Sequence, residues 1–181
     1  ITKLVGEQYS SFWAHHHGLD VVTVRLFNSY GPGELPGTYR NVIPNFFQRA
    51  MTGKSLVITG TGQETRDFNF VADTVEGILA AARVDTEPGE VFNLASGQAT
   101  AILDLANMIN EITGNRAGIE FSPRRSWDRI VTRRGRIDKA RNKLGYEPHT
   151  SIEKGLKLTY EWLKSQSHSF LEQPTQGSGR A

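Results

Sequence analysis

Val21-Val22-Thr23-Val24-Arg25-Leu26-Phe27, followed by Asn28-Ser29-Tyr30-Gly31-Pro32-Gly33 and then Pro36-Gly37, is the stretch from which the fold can be read. β-Branched and apolar residues dominate the first seven positions, and Gly18 before them can stop a preceding helix, so the run reads as a strand. It shows no clean apolar/polar alternation, which suits a strand covered on both faces, as in a parallel sheet. Ligands of open α/β sheets bind just beyond the carboxyl ends of the strands. Asn28 and Tyr30 therefore stand where chemistry is expected.

Working outward, Ile1 to His17 places apolar side chains at Ile1, Leu4, Val5, Tyr9, Phe12 and Trp13, close to the recurrence of an amphipathic helix. Residues 41–51 read as a helix ended by Gly53, and Leu56-Val57-Ile58-Thr59 as a strand. Gly60-Thr61-Gly62 turns into a strand over Thr65–Val71. Asp73-x-x-Glu76 is read as a capping box opening a helix to about Arg83. Val91 to Leu94 is a strand, and Thr100 is read as the cap of a helix to about Thr113, stopped by Gly114. Ile119 to Phe121 reads as a short strand. Asp138 is assigned to cap a short helix ending at Gly145, and Thr150-x-x-Glu153 is a second capping box before a final helix through Leu163. Alternation of strands and helices makes the class α/β. Residues 1–166 form the folded part, and 167–181, which lack apolar periodicity, read as a flexible tail.

The 181 residues suffice for one domain with a real core. A formal charge of +2 gives no reason to expect nucleic acid as a partner. The absence of cysteine excludes disulfides, thiolate catalysis and cysteine-bound metal, and fits a cytoplasmic location. No apolar run is long enough to span a membrane. His15-His16-His17 is not a metal site, because successive helical residues turn about 100° and cannot converge on one ion. The sequence starts at Ile1, inside a helical pattern, which reads as a fragment or a truncated gene.

Arg25-Leu26-Phe27-Asn28-Ser29-Tyr30-Gly31-Pro32 resembles the R-x-F-N-x-Y-G-P signature of extended short-chain dehydrogenases/reductases, the NAD-dependent nucleotide-sugar epimerases and dehydratases. Later stretches resemble the same family in the same order: Gly60-x-Gly62-x-x-Thr65-Arg66-Asp67-Phe68, Arg124-Arg125-Ser126-Trp127-Asp128, and Leu144-Gly145-Tyr146-Glu147-Pro148. The resemblance covers Ile1 to about Leu163 but only the C-terminal half of the family's usual enzyme. It implies residual parallel strands of a Rossmann-like sheet plus a small substrate-binding subdomain.

The resemblance also implies roles. Lys3 would be the lysine that contacts the nicotinamide ribose and lowers the pKa of a catalytic tyrosine, since a nearby cation favours the phenolate. That tyrosine would lie four residues before Lys3 and is not among these residues. Phe27 would lie beside the nicotinamide and also serve as a core aromatic. Asn28 would reach the substrate phosphates, and Asn41 would lie beside the diphosphate, although Asn41 alone could equally be a helix cap. Val57 and Thr59 would frame the nucleotide base through their backbone. Arg66 and Arg125 would clamp the diphosphate, because guanidinium offers phosphate a rigid fork of donors. By the residues alone, Arg66 could instead pair with Glu64 or Asp67, and the arginines from Arg124 to Arg136 could be a solvated basic stretch. Asp128 would accept from a ribose hydroxyl.

No stretch carries the three glycines that lead from a strand into a helix in a dinucleotide fingerprint. The expectation is therefore the nucleotide-sugar-binding portion of an NAD-dependent epimerase or dehydratase, for UDP- or dTDP-sugars, inactive by itself and not binding NAD alone. The alternative is a free-standing binding or oligomerisation module that reuses the fold. Apolar surface left on the first helix and strand favours a homo-oligomer.

Overall fold

A computed structural model describes residues 1–37, 41–124 and 130–166. The chain opens with α1 (Thr2–His17), which Gly18 ends in the left-handed conformation at φ 65°, donating its N–H to the Ala14 carbonyl. Next come β1 (Thr23–Leu26) and β2 (Ser29–Tyr30), then α2 (Val42–Met51) and β3 (Leu56–Thr59). The expected strand over Thr65–Val71 is two short strands, β4 (Thr65–Arg66) and β5 (Asn69–Phe70), and Val71 already belongs to α3 (Val71–Arg83). β6 (Val91–Leu94), β7 (Thr100–Ala101), α4 (Ile102–Thr113), β8 (Ile119–Ser122), α5 (Asp138–Leu144) and α6 (Ile152–Ser165) complete the order.

Strands associate in pairs. β1 lies parallel to β6 with Thr23 opposite Val91, β2 parallel to β5, β3 parallel to β8, and β4 antiparallel to β7. Two cores result. One, under α2, α4 and α6, is filled by residues such as Phe47, Ile58, Leu105 and Leu156. The other packs Phe92, Leu94, Ile137 and Tyr146 beside β1 and β6. This is the expected pair of parallel sheet strands with a smaller subdomain. The strand over Thr65–Val71 breaks because its two halves have different partners, with the fully buried Asp67 at the junction.

Four expected caps are replaced. Phe70 is the N-cap of α3, and Asp73, one turn in, accepts from the Thr150 N–H and hydroxyl at 3.1 and 3.2 Å instead of capping its own helix. Thr150 is thereby taken, and Ser151 caps α6 by accepting from the Lys154 N–H. Ala101 stands at the start of α4, because Thr100 is paired in β7. Asp138 likewise lies inside α5, after Ile137.

Among the described residues β1 pairs only with β6, and Leu26 is half exposed, so the expected cover on both faces is not supplied by these residues. On α1 only Ala14 is buried, while Leu4, Tyr9, Phe12 and Trp13 stay about half exposed or more. The helix is tied to β1 by the Glu7–Arg25 pair. His15 sits against Gly89, where a β-carbon would come within 2.8 Å of its ring. No described helix is long and apolar enough to cross a membrane.

Candidate functional site

Five of the residues singled out in the sequence, Asn28, Asn41, Val57, Thr59 and Arg66, line one cleft of about 240 Å3. Each is brought there by a different local device. Asn28 follows β1, and its side-chain amide donates to the Asp67 carbonyl at 2.8 Å. That bond fixes the amide plane at the mouth of the cleft. Asn41 stands at the N-cap of α2 but makes no capping bond. Its amide instead reaches Glu34 Oε1 at 2.9 Å and the Ser29 carbonyl at 3.4 Å. Asn45, one turn later, clasps Gly37 in both directions, accepting its N–H at 3.0 Å and donating to its carbonyl at 3.1 Å. Together these side chains pin the Gly33–Gly37 loop to the start of α2.

β3 presents a backbone edge. The N–H groups of Leu56 and Gly60 bond to the carbonyls of Gly118 and Ser122. Pleating alternates the direction of backbone groups, so Val57 and Thr59 turn theirs toward the other edge, where no described strand pairs. Free amide donors and acceptors on that edge are suited to reading a flat heterocycle.

At the end of β3 the chain turns through Gly60, at φ 103°, and Gly62, at φ 81°. A β-carbon on Gly60 would come within 2.6 Å of Glu64 Oε1. The Glu64 carboxylate folds under the turn and accepts from the Gly62 N–H at 2.9 Å and from Thr61. Burial pushes this carboxyl up, but the turn amides outweigh it and hold the group below the usual carboxylate range. Glu64 is therefore engaged by the turn, and Asp67 by other amides, so neither carboxylate is the partner weighed for Arg66. The Arg66 Nη1 donates to the carbonyls of Thr65 at 2.8 Å, Ile130 at 3.3 Å and Val131 at 3.4 Å. These carbonyls fix the position of the guanidinium.

Asp67 accepts from the Ser96 N–H and hydroxyl, the Gly97 N–H and the Gly135 N–H, at 2.8, 2.6, 3.0 and 3.0 Å. It ties the β6 loop and residue 135 to the strand that carries Arg66. Its place beside Arg66 in the motif was the only sign of this in the sequence. Glu64 and Arg124, which lie within the motifs, also line the cleft, as do Phe46 and Ile102, which carried no such sign.

The remaining expectations separate. Arg125 and Asp128 lie outside the described residues. Tyr30, expected near chemistry, is instead a core residue at 2% exposure, with its hydroxyl 3.4 Å from the Ile152 carbonyl. Lys3 is exposed on the first turn of α1, and Phe27 packs beside the second core; neither lines the cleft. Asp73, Glu76 and His149 gather near one another, a grouping the sequence did not suggest. Asp73 is occupied there by Thr150.

A cleft at strand ends, on parallel strand pairs with a small subdomain, places the chain in the Rossmann-like α/β class. The sequence model of the NAD dependent epimerase/dehydratase family matches residues 1–95, and the chain belongs to that family. It is 34% identical over 152 residues to a UDP-N-acetyl-alpha-D-glucosaminuronate decarboxylase of Bacillus cytotoxicus, covering 81% of this chain and 47% of that protein. An epimerase of Methanothermobacter thermautotrophicus superposes with a TM-score of 0.92 at 44% identity, over 94% of this chain and 51% of that one. The Bordetella bronchiseptica enzyme WbmF, in complex with NAD+ and UDP, superposes with a TM-score of 0.80 at 42% identity, over 91% and 52%. The chain spans about half the length of the curated relatives it matches.

Proposed function

We propose that this chain is the nucleotide-sugar-binding portion of an NAD-dependent UDP-sugar epimerase or decarboxylase. The observation that carries the reading is the convergence of Asn28, Asn41, Val57, Thr59 and Arg66 on one cleft. In this reading the uracil lies along the free edge of β3 and the diphosphate lies between Asn28 and Arg66, with Arg125 assigned as a second diphosphate contact and Asp128 as acceptor from a ribose hydroxyl. The uridine preference is supported by relatives whose names carry UDP-sugars and by the UDP bound to WbmF.

A polypeptide of these 181 residues binds UDP without turning over a UDP-sugar and without holding NAD. In support, no three-glycine turn leads from a strand into a helix within these residues. Without bound cofactor the redox step is lost. A homo-oligomer belongs to the same proposal, supported by the apolar face of α1, as does a cytoplasmic location, supported by the cysteine-free composition.

Calorimetric titration with UDP, dTDP, GDP and NAD tests the reading. UDP should bind, and Arg66→Ala should weaken it by about tenfold or more, the worth of a charge-assisted hydrogen bond. Arg125→Ala should act in the same direction. Failure of all three nucleoside diphosphates to bind would overturn the proposal, and NAD binding would overturn its cofactor part.

A further inference from the structure

The arginines from Arg124 to Arg136 read in the sequence as one basic stretch, and the structure separates Arg124 from Arg134 and Arg136. Arg124 lines the cleft that also holds Arg66. Arg134 and Arg136 line a second cleft of about 220 Å3, where Arg141 of α5 joins them and the loop Ser96-Gly97-Gln98 completes the wall. The wall is built rather than loose. Asp67, fully buried, holds Ser96, Gly97 and Gly135 by their N–H groups. Gly135 is confined as well, since a β-carbon there would stand 2.4 Å from that of Ala95.

The charges in this cleft are not balanced. Arg141 is engaged by Glu147 at 2.6 Å. Arg136 meets Asp138 at 3.3 Å, but the two side chains are 90% and 63% exposed, and such a pair is weak. Arg134 has no hydrogen-bond or ion-pair partner among the described residues. Three guanidinium groups thus stand against two carboxylates, Asp138 in the lining and Glu147 on Arg141, and Arg134 is left in excess. A neutral sugar would leave that excess uncompensated, whereas a phosphate group meets it and matches the donor fork of arginine.

We propose that this second cleft, formed by Arg134, Arg136 and Arg141 against the Ser96–Gln98 loop, binds a phosphate-bearing anion. The proposal does not depend on the nucleotide-sugar reading, because the two clefts share no lining residue.

Calorimetric titration of the full chain with pyrophosphate at low ionic strength tests it, with UDP titrated in parallel. Wild type should take up two equivalents of pyrophosphate. Arg66→Ala should remove one, and Arg134→Ala combined with Arg136→Ala should weaken the other by about tenfold or more while leaving UDP binding unchanged. Arg134→Lys, which keeps the charge and loses the fork, should weaken it less. Circular dichroism verifies that the variants fold; both side chains are exposed. Competition by inorganic phosphate would make free phosphate a sufficient ligand, and competition by glucose 1-phosphate alone would point to an ester. A single equivalent lost in Arg66→Ala would overturn the proposal and leave the nucleotide-sugar reading standing. So would a second equivalent that the Arg134 and Arg136 variants leave untouched, or UDP binding with no pyrophosphate uptake at all.

Discussion

The hydroxyl of Tyr30 fills the space that a side chain on Gly155 would need: a β-carbon there would stand 2.0 Å from the phenol oxygen. Tyr30 ends β2, meets Phe68 and Phe70 edge-on at centroid distances of 6.3 and 5.6 Å, and is pushed far up in pKa by burial first and by Asp73 and Glu153 after it. It is a packing residue. Gly155→Ala should therefore destabilise the chain, although alanine favours helix by about 1 kcal/mol. Overpacking costs about 1–3 kcal/mol and wins where the obstacle is this close. Urea midpoints check this, and Tyr30→Phe should reduce the penalty because it removes the clashing oxygen. An unchanged midpoint in Gly155→Ala would refute the packing account.

Asp67 should prove more important to stability than any residue lining the cleft. Asp67→Ala strands three N–H donors and a hydroxyl, at roughly 1–3 kcal/mol for each buried one left unmade. A loss of about 3 kcal/mol or more is expected by urea unfolding, with Asp67→Asn milder because it keeps one acceptor. UDP affinity should fall with it, since Asp67 anchors the strand that carries Arg66. A variant as stable as wild type would contradict this.

Tyr146 gives the fold an alkaline limit. Its hydroxyl accepts from the Asn69 side-chain amide at 2.9 Å and can donate to the Ala95 carbonyl at 3.1 Å, and burial pushes its pKa up to about 12. A raised folded pKa means that this group's contribution is complete below the unfolded tyrosine value of about 10 and is lost as pH rises toward 12. Tyr146→Phe should cost about 1–2 kcal/mol at neutral pH. The stability gap between wild type and variant should then shrink above pH ~10. Urea unfolding from pH 7 to 11.5 measures the gap; a constant gap would refute the assignment.

Association should map to α1. Phe12→Glu or Tyr9→Lys, on its half-exposed apolar face, should shift sedimentation toward monomer, while Glu111→Lys on the exposed side of α4 should not. A wild-type chain that stays monomeric at high concentration would rule out the oligomer.

Much of the fold was legible because it rests on local signals. The β-branched run became β1, Leu56–Thr59 became β3 as read, and Gly18, Gly114 and Gly145 each end a helix in the left-handed region. The motif residues of the cleft were legible because the family's motifs hold them at fixed places relative to strand ends. The asparagine clasp at Asn45, the Glu64-supported turn and the Asp67 anchor were not, because each depends on what a side chain meets after the chain has folded.

The amino-acid order by itself determined the α/β class, most element positions and the candidate cleft residues, since these follow from periodicity, glycine conformation and side-chain chemistry. Tertiary structure alone decided where the polar groups went. Asp73 and Thr150, each placed by sequence to cap its own helix, bond to one another across 77 residues. Tyr30 went into the core, and Arg124 went to one cleft while Arg134 and Arg136 went to another. The reason is competition: a buried donor or acceptor takes the best partner that packing brings within reach, and sequence spacing does not reveal which partner that will be.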